Sequence, residues 1–303
     1  MQKIIMVWIV IGVLISHSDA NVLNVVTTTQ DLAALAQEVG RDLIQVKSLT
    51  KGSQDAHFIE PKPSMILAAK KADMLVCVGA SLEIGWLPVL LQSARNKSIL
   101  VGQPGYVDGS TVVELLDKPA GPIDRSMGDV HPEGNPHYLL DPMNGLAVAK
   151  LICERLATLD PANASAYQRN YADFETRLMQ ANAVWHEKMA LYKGQPVLEY
   201  HSSWRYLLNA FGLAPAGQLE EKPGIAPSPA RLKAVIDLIE QQQVNILLFT
   251  TYQNEKHAKY LNQKTGIHAL KLPLSVGGIA GVDTYIGLFD YLVNAISAAL
   301  QED

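Results

Sequence analysis

Only two cysteines, Cys77 and Cys153, occur in 303 residues. They are too few and too irregularly placed for a disulfide scaffold or a zinc-thiolate knuckle, so both are read as buried free thiols, with one disulfide between them as the alternative. Basic residues are not in excess either: 25 Lys and Arg against 30 Asp and Glu leave a net charge of -5, which offers no footprint for nucleic acid. After the first twenty residues no apolar run is long enough to span a bilayer, so no stable membrane insertion is expected. Local metal-hydrolase signatures are absent as well. There is no His-Glu-x-x-His, no Cys-x-x-Cys pair and no His-x-Glu followed by a cysteine pair.

What is present begins with a leader. "MQKIIMVWIVIGVLISHSDA" has Lys3, an apolar run from Ile4 to Ile15 and a small-residue exit at Ser18 and Ala20, the pattern of a cleavable secretory signal over residues 1–20. No cysteine adjoins the cleavage site, so a lipid anchor is not expected. The mature chain should start near Asn21 and work in the periplasm.

The remaining 283 residues exceed one typical domain. "NVLNVVTTT", "DLIQVKSLT", "DMLVCVGA" and "KSILVGQ" read as strands. They alternate with the helical "QDLAALAQEVG", "KPSMILAAKKA" and "SLEIGWLPVLLQSAR". The pattern returns with "QPVLEYH", "SSWRYLLNAFG", "SPARLKAVIDLIEQQQ", "VNILLFTT", "NEKHAKYLNQKTG", "IHALKLPL" and "DTYIGLFDYLVNAISAALQ". Near-continuous apolar strands separated by helices imply mostly parallel sheets flanked by helices. The expected fold is therefore α/β with two lobes, residues 21–159 and 194–303. Between them residues 160–193 carry Tyr167, Tyr171, Phe174, Leu178, Trp185 and Met189 at helical spacing and no breaker before Gly194, which predicts a long rigid spine helix.

Eight histidines are few enough to judge singly. His17 leaves with the leader, His186 reads as a solvated helix position, His257 as a surface residue and His268 as a packed one. His57 in "SQDAHFIEPKP", His131 and His137 in "GDVHPEGNPHYLLDP", and His201 in "LEYHSSW" lie in breaker-rich loops or at strand exits, where α/β proteins bind ligands. His57, His137 and His201 come from both halves and could meet only in a cleft between lobes. Of the loop pair, His137 follows Asn135 and Pro136, whose restricted backbone fixes its ring. It is read as the ligand, and His131 as support.

"DAHFIEPKPSMILAAKKADMLVCVGASLE", "GDVHPEGNPHYLLDP" and "TYIGLFDYLVNAI" resemble the metal-specific substrate-binding proteins of zinc and manganese ABC transporters, in the zinc-uptake periplasmic binding protein family. The resemblance runs over essentially the whole mature chain. It implies a metal site of His57, His137 and His201, with an acidic residue before the last helix, matched by Asp283. Glu60 and His131 become candidates to support the ligands from behind. The resemblance further implies a non-enzymatic carrier, monomeric, whose partners are a divalent metal ion and the membrane permease of an ABC transporter.

Three imidazoles and one carboxylate suit Zn(II), and the family's tendency to place histidine at the third position in zinc importers agrees; Mn(II) or broader specificity is the alternative. The histidine-rich loop of many zinc importers is missing, since none precedes His131 in that segment. Because imidazole must be neutral to coordinate, affinity should fall below about pH 6. Two other readings stay open: an exported zinc metalloenzyme, if the fourth position is free for water, and a surface adhesin.

Overall fold

The computed structural model describes residues 22–121, 128 and 130–301; the leader read as a secretory signal lies outside them. Among the described residues no helix is long and apolar enough to cross a membrane.

The first lobe holds β1 (Leu23–Thr27), α1 (Gln30–Gly40), β2 (Ile44–Ser48), α2 (Pro63–Lys71), β3 (Met74–Cys77), α3 (Leu87–Ala94) and β4 (Tyr106–Asp108). After α4 (Pro142–Leu159) comes the spine α5 (Ala164–Met189), flanked by short 3-10 turns at Pro161–Asn163 and Ala190–Tyr192. The second lobe follows with β5 (Pro196–Glu199), α6 (Arg205–Phe211), β6 (Ala214–Gln218), α7 (Pro229–Gln242), β7 (Ile246–Thr250), α8 (Glu255–Thr265), β8 (His268–Leu272) and α9 (Tyr285–Gln301).

Each lobe carries a four-stranded parallel sheet, ordered β2-β1-β3-β4 in the first and β6-β5-β7-β8 in the second. The two orders are topologically the same. In each, the chain runs outward in both directions from the lobe's first strand, and the carboxyl ends of such strands form the crevice where α/β sheets bind ligands. The central strands β3 and β7 are buried throughout because helices cover both faces, which explains their unbroken apolar sequence.

Three elements differ from the sequence reading. "KSILVGQ" is not a strand: Lys97–Ile99 form a 3-10 turn, and the edge strand lies further on at Tyr106–Asp108. Asn96 closes that turn, accepting from the Ser98 amide and donating to the carbonyls of Ala69 and Ala72. The helix read over "SLEIGWLPVLLQSAR" shrinks to α3, because Gly79, Ala80 and Ser81 turn left-handed at φ 77°, 49° and 62°. The buried Glu83 carboxylate stabilises that turn by accepting from the amides of Val78 and Gly79. Strand β6, "APAGQ", was hidden by its proline and glycine, which an edge strand with a bulge tolerates.

The spine buries Tyr167, Phe174, Leu178, Trp185 and Met189 along one stripe against α1, α4 and α9. One continuous core runs from Val25 and Val76 through this stripe to Val197, Leu248 and Phe289. Separate apolar layers back the outer face of each sheet. Cys77 sits in the outer layer of the first lobe and Cys153 in the shared core, both free and buried.

Candidate metal centre

Four histidines meet where the carboxyl ends of the two sheets face each other. His57 follows the exit of β2, His131 and His137 lie in the long connection after β4, and His201 stands two residues beyond β5, the first strand of its lobe. The His57 ring centroid lies 5.1 Å from that of His131, 5.3 Å from His137 and 6.2 Å from His201, and His137 is 5.8 Å from His201.

Local sequence explains how each ring is aimed. Asp55 accepts from the His57 amide at 3.0 Å and holds the ring through Nδ1 at 2.6 Å. Burial works to raise the Asp55 carboxyl, but its bond to His57 and that residue's charge hold it below the ordinary range. His201 is tied through Nδ1 to Glu220 at 2.9 Å, and Glu220 also accepts from the Gly224 amide. These carboxylates leave Nε2 of His57 and His201 as the outward nitrogens.

In the third segment Asn135 Oδ1 accepts from the His137 amide while Nδ2 donates to the Ser202 carbonyl at 2.7 Å, pinning the loop of one lobe beside His201 of the other. Tyr206 adds a bond to the Asn135 carbonyl. The His137 Nε2 is shut away from solvent with no hydrogen-bond partner among the described residues. An orphaned buried nitrogen is costly unless something else satisfies it. Burial, then the neighbouring rings of His57 and His201, push the His137 pKa well below the ordinary value, so it is a neutral donor.

His131 is closer to the centre than a supporting role requires. Its Nε2 faces the His57 Nε2 at 3.1 Å. Glu60 is exposed and lines none of the recesses around the histidines, so the place foreseen for it behind His57 belongs to Asp55. Asp283 is also exposed, in the turn before α9, where its neighbours Thr284 and Ile286 border a surface groove with Glu38 and Arg177 of the spine side. The second lobe instead presents Leu274 and Ser275 to the recess of ≈ 60 Å³ behind His57 and His137. A sequence match just before a helix gave no means of telling which side of the turn faces the cleft.

Among the described residues no three His, Cys, Asp or Glu side chains already stand in a finished metal-holding arrangement. The geometry is a convergence of imidazoles, with carboxylates one bond behind two of them. Asp55 and Glu220 were missed in the sequence; Asp55 was visible as an acidic residue two before His57, whereas Glu220 reaches His201 only through the fold.

The family model described as zinc-uptake complex component A, periplasmic (ZnuA), matches residues 25–299. The iron-binding protein YfeA of Yersinia pestis is 25% identical over 283 residues, covering 90% of this chain and 85% of its own. The manganese ABC transporter substrate-binding lipoprotein PsaA of Streptococcus pneumoniae is 26% identical over 264 residues, covering 83% and 79%. Among solved structures, ZnuA superposes with a TM-score of 0.76 at 21% identity, covering 92% of this chain and 99% of that one. FpvC of Pseudomonas aeruginosa in complex with Mn2+ reaches 0.78 at 23% identity, covering 93% and 99%. The chain belongs to the zinc-uptake component A family, the metal-binding substrate-binding proteins of ABC transporters.

Proposed function

We propose that this protein captures Zn(II) in the cleft between its lobes through His57, His137 and His201 and delivers it to the permease of an ABC transporter. The observation that carries this reading is the buried Nε2 of His137, without a hydrogen-bond partner among the described residues, in a ring whose centroid lies 5.3 and 5.8 Å from those of His57 and His201, the latter across the lobe boundary. Imidazole nitrogens favour zinc over manganese, the weaker binder at any given nitrogen or oxygen site. Relatives named for manganese and iron make metal choice a property of each chain's own donors. Here those donors are nitrogens.

The mature chain is exported after loss of residues 1–20 and acts as a monomer, its lobes at residues 21–159 and 194–303 braced by 160–193. A hydrolytic enzyme would need a carboxylate free to act on bound water, whereas Asp55 and Glu220 are both engaged by Nδ1 of a histidine. Native mass spectrometry of the metal-stripped chain, offered equal Zn(II), Mn(II), Fe(II) and Ni(II), checks the proposal. One zinc per chain is expected. Preferential retention of manganese or iron would overturn the zinc assignment, and retention of none would overturn metal capture.

A further inference from the structure

We infer that His131 is itself a ligand, completing a shell of four imidazoles, and that this all-nitrogen shell sets the preference for zinc over manganese. The inference rests on the metal-capture reading above and adds to it a donor for which no acidic residue stands in.

Proton bookkeeping is the first argument. His57 Nδ1 faces a carboxylate oxygen at 2.6 Å, and a carboxylate only accepts, so Nδ1 carries a hydrogen and, in the neutral ring that metal binding requires, Nε2 is the lone pair. The Ser81 main chain lies on the other side of the His131 ring. With its Nε2 turned to His57, the nitrogen on the Ser81 side is Nδ1. Once both rings are neutral, as a bound metal requires, their Nε2 lone pairs face each other across 3.1 Å. Such a pair calls for a cation. Two nitrogens on one tetrahedral zinc, each about 2.0–2.1 Å from it, stand about 3.3–3.4 Å apart, close to the separation found.

The second argument is how His131 is held. The left-handed φ angles of Ala80 and Ser81 are unfavourable by about 1–2 kcal/mol for each such residue, and they persist only where surrounding contacts impose them. The turn they form grips the loop twice. Ser81 contacts the His131 ring through its main chain, and its hydroxyl donates to Glu133 at 2.6 Å, two residues further on. A ring in a merely supporting or solvated position needs no such clamp.

Charge balance is the third. Four neutral imidazoles bring no negative charge to a divalent ion, but Asp55 and Glu220, each bonded to the back of a ligand ring, supply two. On the remaining side the recess is walled by Leu274, Ser275, Tyr252 and Asp31, whose carboxylate is taken up by the Ser275 hydroxyl and the Val276 amide, and Asp283 is exposed. Without a carboxylate among the donors, manganese loses the hard oxygen ligand it favours.

X-ray absorption of the zinc-loaded mature chain, with competition titrations of Zn(II) and Mn(II) against His131→Ala, Glu133→Gln and Asp283→Ala, tests the inference. The expected result is four imidazole nitrogens around zinc. His131→Ala should weaken zinc at least about tenfold, since loss of an outer partner alone costs about 10–100-fold. It should narrow the zinc-to-manganese ratio, while Asp283→Ala changes neither. A shell of three nitrogens and a carboxylate, or unchanged zinc affinity in His131→Ala, overturns the inference and leaves the three-histidine carrier standing. Failure of the unaltered chain to bind zinc overturns both. The absorption measurement needs no variant, so a misfolded His131→Ala would not leave the question open.

Discussion

At the scale of single residues, the groups behind the ligands deserve the first test. Asp55→Asn and Glu220→Gln keep side-chain shape but remove the charge that orients and polarises His57 and His201. Each should weaken zinc by about 10–100-fold with the far-ultraviolet circular dichroism unchanged. Affinity unaltered in both, by chelator competition, would mean that the rings are aimed by packing alone. The histidines themselves were legible because few compete for attention and each sits in a loop. Their carboxylate partners were less so. Glu60 follows His57 in a motif, yet the local turn folds Asp55 under the ring, and Glu220 meets His201 only because β5 and β6 pair in parallel. Asp283 marks the limit of positional matching: the residue stands where the motif puts it, but the turn shows it to solvent.

Among the elements, the spine and its neighbours set the site's frame. Phe174 is fully buried in the stripe that α5 shares with the common core. Phe174→Ala should cost about 3–5 kcal/mol and lower the denaturation midpoint of both lobes together, because one core serves both. Two separated transitions in the variant would show that the lobes fold independently. Gly145 on α4 is a sharper case: a Cβ there would stand 2.1 Å from the Tyr285 hydroxyl of α9. That hydroxyl donates to the Leu139 carbonyl at 2.6 Å, directly after the loop that carries His137. Gly145→Ala should therefore destabilise by about 1–3 kcal/mol and also loosen zinc binding, a pairing of effects that calorimetry and titration separate. Strands rich in β-branched residues and helices entered through proline were readable in the sequence. The edge strands β4, only three residues long, and β6, which holds a proline and a glycine, were not, since such strands carry little apolar signal and owe their conformation to the neighbour they pair with.

For the molecule as a whole, the shared core and the braced spine favour release of metal by small tilts and loop changes over wide opening. The radius of gyration from solution scattering should accordingly change little on adding zinc; a large contraction would contradict it. One contact across the lobes is sensitive to pH. Asp31 at the start of α1 accepts from the Ser275 hydroxyl and the Val276 amide of the second lobe, and burial, only partly offset by those bonds, raises its pKa from 3.8 to about 6. A carboxyl raised in the fold binds its proton more tightly there than in the unfolded chain. Its contribution is therefore fully present below about pH 3.8 and is lost as the pH rises through about 6, a difference of about 3 kcal/mol at most. Burial, with the nearby rings of His57 and His201, lowers His131 to about 4, which acts in the opposite sense: that stability is present above about 6.5 and lost as the pH falls towards 4. Urea denaturation of Asp31→Asn between pH 4 and 7.5 should show less loss of stability on the alkaline side than the unaltered protein; parallel curves would remove Asp31 from the account. The central claim, that the chain carries zinc on inter-lobe histidines, is tested most directly by calorimetric titration of the metal-stripped mature protein with Zn(II) and Mn(II), beside His137→Ala. The account predicts one tight zinc site per chain, much weaker manganese and loss of the site in the variant. Equal affinity for the two metals, or zinc binding indifferent to His137, would contradict it.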